Sequence, residues 1–228
     1  MYRIAITTMG TRGDVQPYIA LARGLAGRGH SVILLAPEQF TGLVAEYGIP
    51  FAPLPGDLLA LLDTQEGKAA MGSSKGFGAG LKLLKHMRPL GERLLDAECA
   101  AIRAFGPDLI VFHPKSFATP HMAEALGCQH VLASPLPGFT PTSDFPSPLL
   151  PFDNLGPLNK VSHVLGTHAA SMLFRKLIKR FRHDTLGLAG RSTADVRSLG
   201  TLYAYSPQVL PVPRDWGPDV LVSGYWFL

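Results

Sequence analysis

Cysteine is nearly absent from this 228-residue chain: Cys99 and Cys128 are the only two, and they form no C-x-x-C pair. A disulfide framework or a structural zinc site is therefore not expected, and both thiols read as reduced. Charge is sparse as well, at 17% of residues, while hydrophobic residues reach 46%. That balance is far from a disordered profile and is enough for a proper core. No apolar run approaches the roughly 18–20 residues of a spanning helix, and no secretory leader opens the chain. The expectation is a cytoplasmic protein, at most peripheral to a membrane. The net charge of +4 permits an anionic partner without demanding one.

Several chemical signatures are missing too. Gly10-Thr11-Arg12-Gly13 is a G-x-x-G and lacks the close glycine pair of a dinucleotide fold. Glu38, the acid ending the second strand, lies beyond the roughly 20-residue spacing such a fold uses. There is no P-loop and no G-x-S-x-G elbow. His113 and His121 find no third ligand at a sensible spacing, and His163 and His168 are not at i, i+4, so no metal site is expected. The latter two read as helix-surface residues. Interleaved aromatics and nucleic-acid motifs are lacking, which disfavours DNA or RNA.

What is present is an alternation of strands and helices. Apolar runs at 4–8, 31–36, 49–54, 108–113, 130–135, 201–206 and 220–225 read as strands. Helical spacing spans 15–25, 41–47, 81–105, 119–126 and 161–183. This is the pattern of an α/β fold, a parallel sheet with helices on both faces, whose ligands meet the carboxyl ends of the strands. Gly67–Gly80 reads as a mobile loop, and the proline-dense 135–151 stretch as irregular. The 161–183 helix carries Arg175, Lys176, Lys179, Arg180 and Arg182 beside apolar residues. It reads as a solvated basic face, or as a contact for anionic lipid. The closing "GYWFL" is strongly apolar and costly to leave exposed.

Asp14 sits where a helix N-cap is expected, and aspartate is a favoured cap. A helix N-terminus also lowers its pKa, which suits a general base only once a greasy substrate desolvates it. Arg12 is placed for an anion beside the same amides.

Together, "TTMGTRGDVQPYIALARGLAGRGHSVILLAPEQF", "FHPKSFATPHMAEALG", "PLPGFTPTSDFPSP", "RFRHDTLGL" and "LYAYSPQVLPVPRDWGPDVLVSGYWFL" resemble sterol-glucosyltransferase-like and antibiotic glycosyltransferases. The resemblance implies a Rossmann-like domain, one half of a GT-B architecture, spanning residues 1–228. Residues 220–228 would open a linker to a donor-binding domain, a partner this chain lacks, so that the chain alone would be inactive. It further implies inverting transfer from a nucleotide-diphosphate sugar, UDP-glucose-like, to a hydroxyl of a lipophilic acceptor such as a sterol or natural-product aglycone. Asp14 would be the catalytic base. Gly10, Thr11, Arg12 and Gly13 would line the donor-diphosphate side of the cleft. His113, Lys115, Pro137 and Phe139 would bound the acceptor pocket, together with the Gly67–Gly80 loop. No cofactor or metal is implied beyond the nucleotide sugar. A non-catalytic lipid-binding or membrane-surface module is the alternative, and the apolar tail leaves self-association open.

Overall fold

The computed structural model describes residues 1–57, 60, 77–148, 150–190 and 192–228. Its elements are β1 (Arg3–Thr7), α1 (Arg12–Gly27), β2 (Ser31–Pro37), α2 (Thr41–Ala45), β3 (Phe51–Leu54), α3 (Phe77–Phe105), β4 (Leu109–Phe112), α4 (Thr119–Leu126), β5 (Gln129–Ser134), α5 (Asn159–Arg180), β6 (Ser198–Tyr203) and β7 (Val220–Val222). The seven strands form one sheet in the order β3-β2-β1-β4-β5-β6-β7. Every pairing is parallel. β1 lies inside the sheet, flanked by β2 on one side and β4 on the other.

Alternation along β1 divides the core. Ile4 and Ile6 face one cluster with Val15, Tyr18 and Ile19 of α1 and Val44 of α2. Ala5 faces the other with Leu95, Cys99 and Ile102 of α3 and Met122 of α4. Period-two side-chain placement thus gives each sheet face its own helical cover. Cys99 and Cys128 are buried free thiols, and burial raises the pKa of both.

Several sequence expectations shift. Residues 67–76 of the expected mobile loop lie outside the described residues, and 77–80 belong to the first turn of α3. Ser198 rather than Thr201 opens β6. The helix expected over 161–183 begins at Asn159, and its last turns loosen into a π turn at Phe181–Thr185. The apolar tail is half covered: Trp226 and Leu228 pack onto the α1 side of the core, while Phe227 stays 82% exposed. No helix among the described residues is long and apolar enough to cross a membrane.

Candidate active site

The loop from Thr8 to Asp14 leaves the carboxyl end of β1, and the turn from His113 to Ser116 leaves the carboxyl end of β4, its neighbour. The His113 N–H donates to the Thr7 carbonyl at 2.9 Å, which continues the strand pairing to the point where the two loops meet. Strand order alone thereby places residues a hundred positions apart within contact.

Asp14 is not the N-cap. Thr11 holds that position and Asp14 is the third residue of the helix. Its carboxylate reaches back to the Thr11 N–H at 2.7 Å, the reach-back half of a capping box. The Thr8 hydroxyl fixes the Asp14 carbonyl at 2.6 Å. Asp14 Oδ2 also accepts from the Thr11 hydroxyl at 3.2 Å and from Lys115 Nζ at 2.8 Å. Asp14 Oδ1 lies 3.3 Å from His113 Nε2. The Asp14 side chain keeps 16% of its exposure, so the carboxylate is lined by donors yet open on one side.

His113 is buried and its ring is fixed from two sides. Its Nδ1 accepts the Lys115 N–H at 3.1 Å, which assigns the ring proton to Nε2, aimed at Asp14. The Tyr18 ring meets it edge-on with centroids 5.7 Å apart. Tyr18, one helical turn after Asp14, is fully buried and donates to the Ala133 carbonyl of β5. Burial, together with the Asp14 charge, pushes its phenol pKa up.

Burial alone would raise the Asp14 pKa. Hydrogen bonds from His113, Lys115 and the Thr11 N–H, with the Lys115 charge, outweigh it and hold the carboxyl far below the usual range. Asp14 is thus a fixed carboxylate, oriented and charged.

Gly10 explains how the carboxylate comes so close to the chain. Its φ is +137°, and a Cβ there would stand 2.0 Å from Asp14 Oδ2 and 2.7 Å from Lys115 Nζ. The glycine serves the protein's own carboxylate and ammonium. At Gly13 the nearest atom to a Cβ is Thr11 Oγ1 at 3.9 Å. Arg12 is exposed and runs along the helix to Gln16 at 3.2 Å.

The expected acceptor residues divide into two groups. His113 and Lys115 converge on Asp14. Pro137 and Phe139 lie past β5, and Phe139 is tied to β6 instead, its N–H donating to the Tyr203 hydroxyl at 3.1 Å. That hydroxyl donates onward to Thr140 at 2.9 Å. Pro137 and Phe139 are half-buried.

Sequence reasoning missed a buried acid at the carboxyl end of β1, on the α3 side of the sheet. Glu98 of α3 is buried and accepts from Thr7 at 2.6 Å and Thr119 at 3.3 Å. Burial raises its pKa, and the two hydroxyls only partly oppose this. The signal was an acid in line with Leu94, Leu95 and Ile102 on the apolar stripe of α3. Among the described residues, no group of three or more His, Cys, Asp or Glu side chains is arranged to hold a metal ion.

Residues 4–142 match the glycosyltransferase family 28 N-terminal domain. Sterol 3-beta-glucosyltransferase UGT80B1 of Arabidopsis thaliana is 34% identical over 238 residues, covering 99% of this chain and 38% of that protein. UDP-sugar-dependent glycosyltransferase 52 of Dictyostelium discoideum is 30% identical over 236 residues, covering 99% of this chain and 14% of that protein. The chain thus spans well under half the length of these relatives. Among solved structures, the calicheamicin glycosyltransferase CalG4 aligns with a TM-score of 0.64 over 98% of this chain and 53% of its own, at 15% identity, a likeness of fold. The chain belongs to the glycosyltransferase family 28 N-terminal domain family, and its fold is one half of the GT-B architecture.

Proposed function

We propose that this chain is the acceptor-binding half of an inverting glycosyltransferase. It takes a sugar from a UDP-glucose-like donor to the hydroxyl of a lipophilic acceptor, a sterol or a natural-product aglycone. One observation carries the reading: a single carboxylate, Asp14, stands at the mouth of a parallel sheet, oriented by a buried histidine and open on one side. In the reaction the acceptor oxygen bonds to the anomeric carbon as the bond from that carbon to the diphosphate breaks. The hydroxyl proton passes to Asp14, and the diphosphate leaves with its electron pair. His113 holds the carboxylate with its Nε2–H and acts as a positioning residue, because both of its ring nitrogens are engaged. The Gly10–Gly13 turn serves the diphosphate side, and Pro137 and Phe139 the acceptor side. The nucleotide sugar is the co-substrate, held mainly by a donor-binding domain, and the reading needs no cofactor.

The test is Asp14→Asn in the chain paired with a donor-binding domain. Loss of a general base lowers turnover by roughly 10²–10⁴-fold. Near-normal turnover by a folded Asp14→Asn variant refutes the assignment.

A membrane-surface role is a second reading, favoured by α5. Val161, Val164, Leu165 and Met172 stand 47–61% exposed. Arg175, Lys176 and Lys179 are exposed further along the same helix. Apolar residues beside a basic face suit an anionic lipid surface at which a lipophilic acceptor resides. In vesicle flotation, charge reversal at Arg175, Lys176 and Lys179 should abolish binding to anionic vesicles. Unchanged partitioning sinks this reading and leaves the enzymatic one intact.

A further inference from the structure

Four donors surround Asp14, and they differ in how firmly each is fixed. The Thr11 N–H is backbone at a helix cap. The Thr11 hydroxyl can only rotate in place. His113 is buried, its ring braced by the Lys115 N–H and by Tyr18. Lys115 Nζ is the exception: it ends a flexible stem, and its side chain is 53% exposed.

A half-exposed ion pair is worth little on its own, so the lysine can be drawn away at small cost. Its withdrawal raises the proton affinity of Asp14, which a base needs. An ammonium 2.8 Å from Oδ2 stabilises the charged form and so weakens Asp14 as a proton acceptor. A diphosphate is the partner able to draw it. It carries more negative charge than a carboxylate and offers several acceptor oxygens. The surroundings favour that anion's approach: Arg12 is exposed on the same turn, and α1 begins there. Its chain neighbours Arg12 and Asp14 aside, no side chain comes closer to a Cβ at Gly13 than Thr11 Oγ1.

We propose that Lys115 is a donor-sensing switch, its ammonium moving from Asp14 to the diphosphate of the incoming nucleotide sugar, so that the base is released only when the donor is in place. This rests on the glycosyltransferase reading above. The consequence is an order of events: the acceptor hydroxyl is not deprotonated before the donor has arrived, and the activated sugar is not wasted.

The test is a double-mutant cycle in the chain paired with a donor-binding domain, with UDP as the probe. UDP affinity is compared across wild type, Lys115→Gln, Asp14→Asn and the double variant. Lys115→Gln should weaken UDP about 10-fold or more, the loss of one charge-assisted contact. Asp14→Asn should tighten UDP, because the lysine is already free. That gain should be about 5-fold or more larger with Lys115 present than in the Lys115→Gln background. Lys115→Arg should keep the wild-type pattern, which separates a charge effect from a folding defect. Equal gains in both backgrounds, or no effect of Lys115→Gln, overturn the switch even where the wild-type pair transfers sugar. A wild-type pair that transfers no sugar to any hydroxylated acceptor overturns the enzymatic reading and the switch together.

Discussion

The two glycines of the Gly10–Gly13 turn have different physical reasons to be there. Gly10 adopts a φ of +137° and leaves no room for a Cβ between the Asp14 carboxylate and the Lys115 ammonium. Gly13 lies in the first helical turn with no left-handed φ and ordinary space around it. Gly13→Ala should therefore leave stability unchanged or raise it, by up to about 1 kcal/mol from better helix propensity. Gly10→Ala should cost about 2 kcal/mol or more, through backbone strain and displacement of the carboxylate. Urea denaturation of the two variants separates these cases. If Gly13→Ala keeps its stability but loses turnover in the paired enzyme, the space above residue 13 belongs to a ligand. Full activity there would confine the turn's role to Gly10.

At the scale of elements, what the sequence made legible follows from how each element is stabilised. The central strands β1 and β4 read true because they are buried on both faces and written as unbroken apolar runs, "IAIT" and "LIVF", whereas the more exposed β6 and β7 shifted at their ends. The start of α1 moved because capping is decided by geometry. Aspartate at the third helical position caps as well as aspartate at the N-cap, and only the fold shows Thr11 in the outer place. Pro17 then falls inside the helix. The beginning of α5 reads inverted. His163, expected on the surface, is fully buried, and Asn159 and Ser162 are buried beside it. They serve the backbone of the proline-rich segment: His163 meets the Phe145 carbonyl, Ser162 accepts the Ser147 N–H, and the Asn159 amide donates to the Ser143 carbonyl. A buried irregular loop needs partners for its peptide groups, so the polar side of the helix turns inward and its valines turn outward. Periodicity alone cannot report that inversion. Arg182, expected on the basic face, is likewise buried and paired with Glu124 of α4. That carboxyl is held at about 2, chiefly by the Arg182 hydrogen bonds. The candidate site was half legible: Asp14, His113 and Lys115 stand out as chemistry at strand ends. Their convergence depends on β1 and β4 being neighbours, which the spacing of residues does not state.

At the scale of the whole molecule, the tail returns to the site side of α1. β7 is the outermost strand, yet the six residues after it do not trail from the edge. Gly224, at a φ of +80°, turns the chain, and the Trp226 indole N–H donates to Ser223 at 2.9 Å. The Trp226 ring then meets Tyr18 edge-on with centroids 5.8 Å apart. Tyr18 in turn braces His113, so Trp226 stands three contacts behind the carboxylate. Fully buried Trp→Ala changes cost about 3–5 kcal/mol; for this half-buried ring the expected loss is about 1–3 kcal/mol. Phe227, pointing the other way at 82% exposure, should change stability by no more than about 0.5 kcal/mol when truncated. The comparison is urea denaturation of Trp226→Ala against Phe227→Ala in the same chain. A matched, negligible effect of both would show that the tail is not docked on α1. The expected asymmetry would make the last residues part of the wall that holds Tyr18, and through it His113, in place.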